Sequence, residues 1–199
     1  MNGYAFFDIG NVQIFFSHEK MCKQIAHLFS MSYTDVYRAF FEKGLLEKWE
    51  VGNINSKKLY QEFSKKSKEK KEFKDFLFAI SDIFWLNPNI PPIIEKLKNN
   101  KIHLVLISNI GDAHFDYLFS KFPVIQQFTN NNLLSFKMHM RKPDPKIYKK
   151  ALEISQEKPA IYIDDIKEYA EMANKQGLDA ILFKDDISLE KVLKQKKFL

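Results

Sequence analysis

Four short apolar runs, Tyr4–Phe7, Ile102–Ile107, Ala160–Ile163 and Ala180–Phe183, constrain the fold more than any other feature of the chain. The first three stop at Asp8, Ser108 and Asp164. Runs of this length bounded by small or acidic residues read as buried strands. Between the last three lie segments of helical periodicity, Ala113–Phe122, Ile147–Ile154 and Glu168–Gln176, the last closed by Gly177 as a helix stop. Strands alternating with helices predict an α/β fold, with a mostly parallel sheet, helices on both faces and right-handed crossovers. A fifth strand is expected near Leu133–Phe136.

Residues 17–86 break this alternation. They carry helical stripes, such as Met21, Ile25 and Leu28, then Val36, Phe40 and Phe41, without a strand pattern. Pro88, Pro91 and Pro92 then restart the chain ahead of a helix over Ile93–Lys98. The expected organisation is a three-layer, Rossmann-like core built from residues 1–16 and 87–199, with a helical cap inserted over 17–86.

Composition narrows the class. A chain of 199 residues suits one core with a modest insertion, and 45% hydrophobic content with 19 Phe excludes a disordered chain. Cys22 is the single cysteine and has no intrachain partner, and Asp8 interrupts the apolar stretch a signal peptide would need, so a cytoplasmic protein is expected. No apolar run approaches the roughly 20 residues of a membrane span. The excess of 31 basic over 25 acidic residues gives +6, yet only Arg38 and Arg141 are arginines. Lysines scattered outside Lys65–Lys74 and Lys191–Lys197 describe a solvated surface rather than a nucleic-acid interface. Neither nucleic acid nor a membrane is an expected partner, and the chain is expected to be a monomer or homodimer.

In an open parallel sheet, ligands collect beyond the carboxyl ends of the strands. The residues delivered there are Asp8 in FFDIGNV, Ser108 and Asn109 in LVLISN, and Asp164 and Asp165 in AIYIDD, while MRKPDPKIY offers Lys142 at the approach to a helix. Singly, each has a bland explanation as a turn former, helix cap or solvated lysine. Acid, hydroxyl, lysine and acid pair at one predicted sheet edge are instead the parts for phosphoryl transfer. A carboxylate attacks phosphorus and water then hydrolyses the acyl phosphate. The obstacle is charge, since two like charges about 4 Å apart at an effective dielectric near 20 repel by about 4 kcal/mol. A Mg2+ ion among Asp8, Asp164 or Asp165 and the Lys142 ammonium would offset it, with Ser108 donating to the equatorial oxygens.

On these four ordered motifs the whole chain resembles the haloacid-dehalogenase-like (HAD) hydrolase superfamily. FDIGNV, WEVGNINS and RKPDPKIY are similar to its capped sugar-phosphate phosphatase branch, the α-D-glucose-1-phosphate phosphatase type. The resemblance implies Asp8 as nucleophile, Ser108 and Asn109 as phosphate binders, and Lys142 as the neutralising lysine. It also implies Mg2+ held by Asp8, the Gly10 carbonyl, Asp164 and Asp165. The implied substrate is a small phosphorylated metabolite such as a hexose 1-phosphate.

The chain departs from the superfamily pattern at Gly10, where most of its phosphatases carry a second Asp that protonates the leaving oxygen. A well-placed acid contributes about 10²- to 10⁴-fold, so its absence suits a weakly basic leaving group, a sugar 1-phosphate or acyl phosphate. Rescue by His18 or His139 is one competing expectation. Another is a noncatalytic phosphometabolite-binding or interaction protein. In the cap, Trp49 could cover a sugar face and Glu50 accept hydroxyl hydrogen bonds; the alternative is Trp49 anchoring cap to core with Glu50 solvated.

Overall fold

The computed structural model describes residues 3–67 and 69–199, so residues 1 and 2 of the expected core and Lys68 of the lysine-rich stretch lie outside the described residues. In chain order the elements are β1 (Tyr4–Phe7), β2 (Ile14–Phe16), α1 (His18–Phe29), α2 (Tyr33–Tyr37), α3 (Leu45–Glu50), α4 (Ser56–Ser64), α5 (Phe73–Ser81) and β3 (Phe84–Leu86). They continue with α6 (Ile90–Asn99), β4 (His103–Ser108), α7 (Asp112–Lys121), β5 (Leu133–Leu134), α8 (Ser135–Met138), α9 (Pro145–Ser155), β6 (Ala160–Asp164), α10 (Lys167–Lys175), β7 (Asp179–Leu182) and α11 (Asp186–Gln195). A π-helical stretch, Arg38–Glu42, joins α2 towards α3.

The main sheet has five strands in the order β5-β4-β1-β6-β7, and every pairing is parallel. Its period-two alternation sorts the strand residues onto two faces. Ala5, Phe7, Leu104, Leu106, Ile161 and Ile163 share one apolar cluster with Ile94 and Leu97 of α6, Leu118 of α7 and Leu193 of α11. Phe6, Val105, Ile107 and Tyr162 point the other way, onto Tyr148 and Ala151 of α9 and Ala173 of α10. Both faces are therefore covered. The chain runs from the central β1 to one side of the sheet and returns to the other side at β6, which opens a crevice at the carboxyl ends of β1, β4 and β6.

The helices α1 to α5 bury their stripes in a separate cluster around Met21, Ile25, Phe29, Phe40, Phe63 and Phe76. Two strands that the apolar pattern does not disclose, β2 and β3, pair antiparallel with Phe15 opposite Trp85, and carry the chain out to these helices and back. They are missed because each spans only three residues. The expected strand at Leu133–Phe136 is correct only over Leu133–Leu134; Ser135 already begins α8. The lysine-rich stretch from Lys65 lies between α4 and α5. Among the described residues, no helix is long and apolar enough to cross a membrane.

Candidate active site

Register aligns the site. Phe7 sits opposite Leu106 of β4 and Ile163 of β6, so Asp8 emerges level with Asp164 and one residue short of Ser108. The Asp8 N–H continues the ladder by donating to the Ile163 carbonyl at 2.9 Å. Its Oδ1 accepts from the Ile9 N–H at 2.7 Å, and the Gln13 amide donates to its carbonyl at 2.9 Å. Both chain and side chain are thereby held at the strand end.

Lys142 arrives from the opposite direction, just before α9. Asp144 caps that helix by accepting from the Lys146 N–H, and Pro145 occupies its first turn. Asn109 clamps the Lys142 backbone at both ends, accepting from its N–H at 2.8 Å and donating to its carbonyl at 3.0 Å. The buried Lys142 Nζ lies 3.0 Å from Asp8 Oδ1 and 2.6 Å from Asp164 Oδ2. Asp164 Oδ2 also accepts from the Tyr162 hydroxyl, and its Oδ1 accepts from the Ile166 N–H at 2.8 Å. Asn11 donates to Asp165 Oδ2 at 3.1 Å.

Asp8, Asp164 and Asp165 each offer an oxygen within 4.8 Å of the others. Three carboxylates against one ammonium leave this cluster short of positive charge. Burial pushes the Asp8 carboxyl up to about 7; Lys142 pulls against this, while Asp164 and Asp165 add to it. Burial opposes the Lys142 charge, but Asp8 and Asp164 outweigh it and hold the pKa above its ordinary value. Burial is also the main cause that raises Asp165, against the Asn11 hydrogen bond. Hard carboxylate oxygens with a deficit of two positive charges fit a divalent ion such as Mg2+, and the residues that would hold it are Asp8, Asp164 and Asp165.

These groups border a cavity of about 200 Å³, whose lining includes Asp8, Gly10, Ser108, Asn109, Lys142 and Asp165. Asn11, His18, Glu50, Arg141 and Tyr169 complete its polar lining. A smaller space of about 60 Å³ continues past Gly10, His18 and Glu50 to Phe84 and His114. Of the expected residues, then, Asp8, Gly10, Ser108, Asn109, Lys142, Asp165 and Glu50 share one hollow. Asp164 lies fully buried behind it, and Glu50 enters from the cap rather than facing solvent.

Two expectations need correcting. Trp49 covers no ligand face, because it is fully buried and borders neither space. Its indole N–H donates to Asp112 Oδ1 at 2.6 Å, and its ring packs so closely on Gly111 that a β-carbon there would meet Cε2 at 2.2 Å. Trp49 anchors cap to core. His139 is exposed and directed elsewhere, its Nδ1 lying 3.1 Å from the Val51 carbonyl. His18 does line the hollow, but burial lowers it to about 4, which keeps it neutral near pH 7.

At Gly10 a β-carbon would lie 2.9 Å from Cε1 of Phe16. The missing acid is therefore matched by an aromatic ring that occupies the space a side chain would enter. Sequence reasoning overlooked Asn11, Tyr169 and Arg141. The available signals were the place of Asn11 inside FFDIGNV and of Arg141, one of only two arginines, directly before Lys142.

The haloacid dehalogenase-like hydrolase family model matches residues 12–183. Among solved structures, a HAD family enzyme from Bacteroides thetaiotaomicron superposes with a TM-score of 0.81 at 20% identity, covering 92% of this chain and 94% of that one. Another structure of the same enzyme, in complex with magnesium and inorganic phosphate, gives 0.79 at 20% identity over 92% and 95% of the two chains. The L-2-haloacid dehalogenase of Xanthobacter autotrophicus gives 0.59 at 14% identity, over 90% of this chain and 76% of that one.

Proposed function

The chain belongs to the haloacid dehalogenase-like hydrolase family, and we propose that it is a Mg2+-dependent phosphatase acting on small phosphorylated metabolites through an Asp8 phosphoenzyme. The observation that carries this reading is the buried ammonium of Lys142 shared between Asp8 and Asp164 on the wall of a partly open hollow. A cluster of this charge is unfavourable to bury, and a phosphate dianion with its counterion gives it a use. The magnesium and phosphate in the Bacteroides thetaiotaomicron enzyme support the same choice. A dehalogenase is disfavoured because a monoanionic haloacid does not call for three carboxylates that fit a divalent ion.

In this reading a divalent ion held by Asp8, Asp164 and Asp165 would supply the positive charge that offsets repulsion between carboxylate and phosphate. Asp8 Oδ2 is the oxygen left free to attack, since Oδ1 is engaged by the Ile9 N–H and Lys142. Its bond to phosphorus forms as the bond to the leaving oxygen breaks. Lys142 holds the Asp8 carboxylate in place and faces the charge gathering on the phosphoryl oxygens; Ser108 donates to one of them. Asn109 acts mainly by fixing the Lys142 backbone. Water then attacks the aspartyl-phosphate, returning free Asp8 and inorganic phosphate. Because Gly10 supplies no proton and His18 is neutral, the leaving oxygen must be weakly basic, which favours a sugar 1-phosphate such as a hexose 1-phosphate, or an acyl phosphate.

The test is phosphate release from a panel of phosphorylated metabolites with and without Mg2+, run on the wild type and Asp8→Asn. Release that needs Mg2+ and drops at least about 10³-fold in Asp8→Asn is expected. Unchanged release from Asp8→Asn would exclude the nucleophile. The steric closure at Gly10 gives a second reading some standing, a protein that binds phosphometabolites without turning them over. Saturable binding with no release from any ester would establish that reading instead.

A further inference from the structure

Glu50 ends α3 in the cap and Arg141 directly precedes Lys142 in the core, yet both border the same hollow as Asp8. Glu50 Oε2 lies 3.3 Å from Arg141 Nη2. Despite this proximity, Oε2 of Glu50 and Nε of Arg141 are both buried and have no hydrogen-bond partner among the described residues. The Glu50 side chain is only 12% exposed. Buried polar atoms are ordinarily satisfied, and an exception beside a catalytic hollow needs a reason.

We infer that Glu50 and Arg141 form a subsite for the hydroxyl groups of an uncharged, polyhydroxylated leaving portion, and that they turn away esters carrying a second anionic group. The inference rests on the phosphatase reading above and deepens it. The unsatisfied acceptor and the unsatisfied donor belong to two side chains that already approach within 3.3 Å, and a hydroxyl both donates and accepts, so one or two hydroxyls satisfy the pair. A carboxylate or second phosphate only accepts, and would bring its charge against Glu50. The pair is also electrically balanced within itself, so it offers no net positive charge to a second anion. Burial raises the Glu50 carboxyl despite the opposing pull of Arg141 and Lys142. Tyr169 and Asn109 border the same side of the hollow, and the Asn109 amide lies 3.4 Å from the Tyr169 hydroxyl, which extends the polar wall.

The experiment compares kcat/KM within two matched pairs of anomeric phosphates, glucose 1-phosphate against glucuronic acid 1-phosphate and galactose 1-phosphate against galacturonic acid 1-phosphate, with phenyl phosphate as a hydroxyl-free reference. Mg2+ is constant throughout. Ratios on one enzyme preparation cancel any loss of folded protein. The wild type should favour the neutral member of at least one pair by about tenfold or more, and Glu50→Gln should reduce that preference. Arg141→Gln should lower kcat/KM for the favoured neutral ester about 10- to 100-fold more than for phenyl phosphate, the effect of one hydrogen bond to a charged group. Calorimetric binding of the same pairs to Asp8→Asn should show the same order. Phenyl phosphate turnover with ratios that Glu50→Gln and Arg141→Gln leave within twofold overturns the subsite and spares the phosphatase. No turnover of any ester overturns both.

Discussion

The indole N–H of Trp49 donates to Oδ1 of Asp112, 2.6 Å away, across the join between the cap and the first turn of α7. The same carboxylate accepts from the Ser56 N–H and hydroxyl at 3.1 Å, so WEVGNINS closes on one core residue through both of its ends. Glu50, beside Trp49 in sequence, is thereby aimed into the hollow. The anchor and the residue lining the hollow are adjacent in sequence yet lie in different surroundings.

Breaking this clamp should loosen the cap. Asp112→Ala leaves a buried indole N–H and the Ser56 donors without their acceptor, and is expected to cost about 2 to 4 kcal/mol by chemical denaturation. A double-mutant cycle with Trp49→Phe should return a coupling of about 1 to 3 kcal/mol. A coupling near zero would mean that the contact does not join cap to core.

Mg2+ should raise stability. An ion bound at a hundred times its dissociation constant adds about 2.7 kcal/mol, which for a chain of this size shifts Tm by about 5 to 10 °C. Thermal melts with Mg2+ and then with excess chelator should show the rise and its reversal, and Asp165→Asn should diminish it. A melting temperature indifferent to millimolar Mg2+ would remove the ion from the site.

Restoring the missing acid should be opposed by Phe16. Gly10→Asp places a β-carbon 2.9 Å from the Phe16 ring and is expected to destabilise by about 1 to 3 kcal/mol. Combining it with Phe16→Leu should cost less than the sum of the two single changes, measured by urea denaturation. Simple additivity would show that the ring is not what excludes a side chain there.

Acid should destabilise the fold through His114. This residue is buried, with Nε2 2.8 Å from the Ile80 carbonyl and its ring against Trp49, and burial lowers its pKa from 6.5 to about 3. Between those two values the unfolded chain binds a proton that the folded chain refuses. The His114 contribution is thus complete above about pH 6.5 and is lost progressively as pH falls towards 3. His114→Gln should show a shallower fall in unfolding free energy over this window than the wild type. Parallel slopes for the two proteins would contradict the assignment.

Local pattern along the chain is enough to place several elements and site residues. Apolar runs long enough to cross a sheet marked β1, β4, β6 and β7, and the residue after each of the first three runs marked Asp8, Ser108 and Asp164, because strand ends in a parallel sheet share one edge. Periodicity likewise exposed the helices within residues 17–86. Strands of three residues leave too little pattern to read, so β2 and β3 had no such signature.

Packing in three dimensions assigns roles that local pattern leaves open. Trp49 and Glu50 adjoin in one short helix, and sequence offered both as ligand contacts. Their opposite fates depend on Asp112 and Arg141, which lie 63 and 91 positions further along the chain. The same holds at position 10, where the space for a side chain is taken by Phe16. Pattern along a chain records which faces must be buried; which groups meet across those faces is fixed only when distant elements pack, since burial, charge pairing and excluded volume depend on separation in space.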